Sequence, residues 1–160
     1  IWGPWFATPY RDFFDVIRKG LYVHPKGIRV RRSYGFIYNS IFQLSRISDR
    51  LNDELVGKTI YLADYHPIEL KSWSENIQKN LNIRPIREVP IQVFKIAAKL
   101  GDILKNIGYK NPLMSTFRLN NMLTPMEHNT TPLKDYCGDV PYSIDEGVRI
   151  TCEWLQTHKK

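Results

Sequence analysis

Tyr22 and Lys26 form the pattern Tyr-x-x-x-Lys. In that pairing a lysine lowers a phenol's pKa from about 10, so that the phenol can move a proton. The chemistry needs both side chains on one helical face. Here Pro25 stands between them and Gly27 follows, so a strand and turn are expected and the match is coincidental. His24, His66, His128 and His158 are isolated, with no i, i+4 pair, and each is expected at a turn or in solvent. Cys137 and Cys152 lack metal-ligand spacing, so no metal site is expected. The glycines never cluster into a phosphate loop and no serine occupies a nucleophile elbow, so no catalytic residue is assigned. The basic run Arg29, Arg31 and Arg32 remains. Strand alternation puts Arg29 and Arg31 on one face and Arg32 on the other. A guanidinium fork suits phosphate oxygens, whereas the plain alternative is an edge strand protected by charge.

The elements that must position these residues fit an ordinary globular chain. Its 160 residues are 42% hydrophobic and 24% charged, which excludes disorder and leaves room for one domain or one lobe. No apolar run reaches the ~20 residues of a membrane span. A formal charge of +7 favours a negatively charged partner: nucleic acid, acidic membrane or a phosphorylated small molecule. The opening Ile-Trp-Gly-Pro, without Met or a leader pattern, reads as a polypeptide entered partway, just after a strand.

Periodicity and punctuation predict helices at 10–19, 40–52, 68–80, 91–107 and 113–123, and one opened by Ser143 with Glu146 as a capping box. Thr8 and Pro9 are expected to start the first helix as N-cap and first helical residue. The second helix presents Ile41, Leu44, Ile47 and Leu51 as an apolar stripe. Phe94, Ala97, Leu104 and Ile107 are expected inward on the helix over 91–107, with Lys95, Lys99 and Lys105 in water. Extended segments are expected over 21–39, at 58–63 and at 83–89, where Pro85 confines the strand to an edge. Residues 124–141 read as loop. Trp73 and Trp154 sit at core spacing, while Trp2, Trp5 and Phe6 fit a substrate cleft and a bared surface equally well. The fold class is α/β, a small mixed lobe of helices and short strands spanning 1–160.

Three segments carry a resemblance. They are Ile1-Trp-Gly-Pro4 before an aromatic-rich helix and Gly20; Arg32-Ser-Tyr-Gly-Phe-Ile-Tyr-Asn39 before an amphipathic helix; and Val140 to Leu155 with its Pro-Tyr-Ser-Ile-Asp-Glu-Gly start. In order and spacing they resemble the C-terminal half of extended short-chain dehydrogenase/reductases, the NAD-dependent nucleotide-sugar epimerases and dehydratases. The resemblance implies a substrate-binding lobe, inactive alone, whose Rossmann partner holds NAD or NADP. It implies Arg32 on the substrate's diphosphate, Arg118 as a second arginine, and Tyr22 and His24 beside the nucleobase, with Trp5 as a further substrate contact. The two cysteines make a reducing cytoplasm the default, and the expected partners are the nucleotide-sugar, the Rossmann lobe and, as one option, a second copy, with no membrane. Where relatives end the arginine strand in two acids, this chain has Tyr38 and Asn39, so the local network must differ. The alternatives are a basic nucleic-acid-binding module, against which stands the lack of a recognised motif, and an interaction module without a ligand.

Overall fold

The computed structural model describes residues 1–49, 55–110, 112 and 114–158. Helix α1 (Tyr10–Arg18) leads to β1 (Val23–Pro25), β2 (Arg31–Arg32) and α2 (Ile37–Asp49). Then follow β3 (Ile68–Glu69), α3 (Leu70–Asn80), β4 (Arg87–Val89) and α4 (Ile91–Asn106). The chain closes with α5 (Thr116–Leu123), α6 (Thr131–Cys137) and α7 (Ile144–Thr157). The fold is mixed α/β and mostly helical. Strand β1 pairs in parallel with β4, and β2 antiparallel with β3.

The main core is aromatic. Trp2 is fully buried, with its ring 5.1 Å from Phe36, 5.2 Å from Trp73 and 6.1 Å from Phe14. Its backbone bridges to Phe36, donating from N to the Gly35 carbonyl at 2.9 Å and accepting from Ile37 N at 2.8 Å. Trp2 is therefore neither a cleft residue nor a bared surface. Helix α7 closes this core with Val148, Cys152 and Leu155. The Ser143–Glu146 capping box forms as expected. Burial pushes the Cys152 thiol up to about 12, which leaves it inert at neutral pH. A second, smaller cluster joins α4 to α5 through Phe94, Ala98 and Leu119.

Several sequence expectations are corrected. Pro9, and not Thr8, is the N-cap of α1, and the Thr8 hydroxyl reaches Asp12 at 3.4 Å. Helix α2 begins at Ile37, so Tyr38 and Asn39 are helical, and the remainder of the expected 40–52 helix lies outside the described residues. Its apolar stripe faces out: Ile41 and Leu44 are exposed, whereas Asn39, Ser40 and Gln43 are buried. The segment 58–63 forms no ladder among the described residues. The Ala63 carbonyl instead accepts from Gln43 Nε2 at 2.9 Å. On α4 the buried residues are Phe94, Ala98 and Gly101, while Ala97, Leu104 and Ile107 are exposed. The reason is the close packing of Gly101 on the Met114 carbonyl, where a side chain has no room. Within 124–141, Pro132 starts α6, because a proline is tolerated in a first helical turn. Strand β4 is shorter than expected, and Leu113 lies outside the described residues.

Gly147 shows how tightly α7 seats. A Cβ there would stand 2.9 Å from the Trp2 ring and 3.0 Å from Phe36. Glycine to alanine in a helix interior ordinarily stabilises by about 0.5–1 kcal/mol. Gly147→Ala should instead destabilise by about 1–3 kcal/mol, because rigid rings must be displaced. Urea unfolding measures this, and a stabilised variant would refute the packing argument.

Candidate functional site

Arg32 lies on β2 with its neighbours alternating as expected: Arg29 and Arg31 are exposed, while Val30 and Arg32 are buried. Its guanidinium meets only neutral oxygen. Nη1 donates to the Tyr34 hydroxyl at 3.3 Å, and Nη2 to the Thr124 carbonyl at 2.9 Å and to the Asn121 carbonyl. The carbonyls are those at the end of α5, whose partial negative charge offsets part of the cation. Nε is buried without a partner, and among the described residues no carboxylate pairs with Arg32. Tyr10 stands beside it, its ring 5.1 Å from Tyr34, with its phenol pKa raised by burial first and by Tyr34 second. Ser33 fixes the adjoining loop by accepting from His128 N at 2.9 Å, and His128 stacks on Tyr61 at 4.3 Å.

The other expected site residues are dispersed. Tyr22 and His24 touch, with the phenol oxygen 3.1 Å from Nδ1. Nε2 lies 3.0 Å from the Ile28 carbonyl, which can only accept, so Nε2 donates there. His24 is thus a buried, satisfied histidine and not the solvent or turn residue expected. Burial also raises the Tyr22 pKa. Residues 23–25 form β1, so Tyr22 and Lys26 share no helix, in line with the sequence reading. Arg118 sits on α5 and donates to the Pro112 carbonyl at 2.9 Å, toward the opposite end of that helix from Arg32's carbonyls. Trp5 is 78% exposed with φ +67°, a rare conformation for a bulky residue. It packs on Trp154 and His158 at the end of α7.

Sequence reasoning missed a buried polar knot. Asp64 Oδ1 accepts from Asn39 Nδ2 at 2.9 Å and Oδ2 from Phe36 N at 3.0 Å. The same Asn39 amide donates to the Tyr142 carbonyl at 2.9 Å and accepts from Tyr142 N at 3.1 Å. In the sequence Asn39 stands out only where relatives carry two acids, and nothing in the spacing links it to Asp64. The knot borders a cleft of about 500 Å³, lined among others by Tyr65, Trp73, Asn76 and Lys134. Burial raises the Asp64 pKa, and the hydrogen bonds from Asn39 and Phe36 oppose that rise.

Asp64→Asn should cost about 1–3 kcal/mol, because one amide N–H then faces another donor. Asn39→Asp should also destabilise, by setting two carboxylates together. The double exchange should recover part of the loss by restoring a donor–acceptor pair. A neutral Asp64→Asn in urea unfolding would refute the knot. With its folded pKa raised, Asp64 favours the fold most below the ordinary carboxylate value and loses that contribution as pH rises through the folded value. Its NMR titration midpoint should therefore lie above about 3.9.

No family model matches this chain, and no curated protein matches it. The crystal structure of gox2253 is similar in fold, with a TM-score of 0.67 at 14% identity. The likeness covers 98% of this chain and 47% of that one, so this chain spans under half the length of that neighbour.

Proposed function

We propose that this chain is the nucleotide-sugar-binding portion of an NAD(P)-dependent sugar-nucleotide epimerase or dehydratase, an extended short-chain dehydrogenase/reductase, and is not competent alone. The observation that carries the reading is Arg32, a buried cation that only neutral oxygens hold. A buried charge is costly until an opposite charge meets it, and a substrate diphosphate supplies one. Two features support a second lobe. Tyr38, Ile41 and Leu44 leave an apolar face of α2 exposed, and the β-forming segment at 58–63 forms no ladder among the described residues. The chain offers no glycine-rich phosphate loop, so NAD or NADP belongs on that second lobe.

NMR titration with UDP-, GDP- and dTDP-sugars, and separately with single-stranded DNA, tests this. One nucleotide-sugar should shift the signals of Arg32, Tyr34 and the end of α5. Arg32→Lys should weaken that binding roughly tenfold to a hundredfold, since a point charge replaces a fork worth about 1.5–3 kcal/mol. Arg31→Ala, exposed and 3.7 Å from Glu127, should change little. Equal losses at Arg31 and Arg32, or binding of DNA alone, would overturn the proposal. Turnover of NAD(P)H by the purified chain would also defeat it.

A further inference from the structure

The cleft of about 500 Å³ beside the Asn39–Asp64 knot plays no part in the reading at Arg32. The start of α3 and the residues leading into α7 line it, with Tyr65, Trp73 and Tyr142 as its aromatic walls. Its charge opposes that of the chain. Glu69, Asp139, Asp145 and the buried Asp64 line it against Lys134 and His66, although the whole chain carries +7. Hydrogen bonds hold the walls. The Tyr65 hydroxyl donates to the Gly138 carbonyl at 2.6 Å, and Asn39 holds both backbone groups of Tyr142. The rim acids are only half used: Glu69 Oε2 accepts from Ser72, Asp145 Oδ1 from Asn76 at 2.6 Å, and Asp139 Oδ1 lies 3.4 Å from Lys134 Nζ. Among the described residues the second oxygen of each has no partner. One wall already carries an ammonium. Lys134 Nζ lies 5.8 Å from the Tyr65 ring centroid, so an aromatic face and the Asp139 carboxylate together stabilise that cation. Trp73, 2% exposed, adds an indole N–H that is buried without an acceptor.

We propose that this cleft binds a small hydroxylated organic ammonium ion, the class that includes amino sugars, with its body against the aromatic walls and its nitrogen at the rim carboxylates. Three observations select that class. The acidic lining repels an anion, so phosphate and nucleotide are excluded. No group of three or more His, Cys, Asp or Glu side chains among the described residues is arranged to hold a metal ion, so the cation is organic. The volume lies within the range of small-molecule sites, which are mostly apolar with a few placed polar groups. The ligand's hydroxyl oxygens supply the acceptor that the indole N–H lacks, since a buried donor without a partner is costly. The site is separate from Arg32, and the inference does not rest on the proposed function.

NMR titration of the full chain with glucosamine, and with glucose and N-acetylglucosamine as its uncharged counterparts, tests the proposal. Glucosamine in its protonated form should shift the Trp73 indole and Asn76 side-chain signals. It should bind roughly tenfold more tightly than either uncharged sugar, because a hydrogen bond to a charged group is the stronger kind. Asp139→Asn/Asp145→Asn should weaken glucosamine roughly tenfold, and both side chains are exposed, so the fold should tolerate the change. Lys134→Gln should have the opposite effect and tighten binding, by removing the ammonium that competes for Asp139 and Tyr65. Equal binding of glucose and glucosamine, undiminished binding by the asparagine variant, or weaker binding by Lys134→Gln would each overturn the proposal. So would shifts at Arg32 and Tyr34 in place of Trp73, which would put the sugar at the arginine, and so would no shift at all with millimolar glucosamine.

Discussion

The rest of the fold depends on the hydrogen bonds of one buried amide. Asn39 holds the Asp64 carboxylate and both backbone groups of Tyr142, and so ties α2 to the segments on either side of it. One turn further along, Gln43 takes the Ala63 carbonyl. Residues at i and i+4 share a helical face, so the bonds of Asn39 and of Gln43 Nε2 turn the polar side of α2 inward, although Gln43 Oε1 stays without a partner. The exposed Ile41 and Leu44 follow from that rotation. Leaving the amides unpaired in the core would cost more than leaving apolar side chains partly in water.

The same knot sets the aromatic core. Phe36, whose N–H is held by Asp64, presents its ring to Trp2, and Gly147 lets α7 approach both. Backbone fixed by buried polar bonds thus orients large rings, and a missing side chain makes space for them. The Tyr142 anchor lies immediately before the Ser143 cap, so the start of α7 and the position of α2 are fixed by one network.

What the sequence disclosed was local. The Ser143–Glu146 box, the alternation from Arg29 to Arg32 and the stop at Gly20 each depend on residues within a turn of one another, and all of them hold. What it concealed was the choice of face. An apolar stripe on a helix reads as inward unless a competing polar face has long-range partners, and Asn39 finds its own at Asp64 and Tyr142, far along the chain. On α4 the competitor was Gly101, whose lack of a side chain decides the packing although it adds nothing to an apolar pattern. The segment at 58–63 has strand composition, yet composition supplies no partner, and a strand exists only as a member of a ladder. Arg32 was legible as a special residue. Its carbonyl partners at the end of α5 were not, because backbone groups leave no mark in a sequence.

Helix α5 stands between α4 and the arginine strand. Its first turn is held by Asp102 of α4 through Thr116, and its start is capped by Ser115. Its last carbonyls hold Arg32, and Met126 just beyond it bridges to the arginine strand. A helix of 8 residues transmits position almost rigidly, being only about 12 Å long. The chain of contacts is short, running from Asp102 through Thr116 and α5 to Arg32, and it gives α4 and the buried cation a common support.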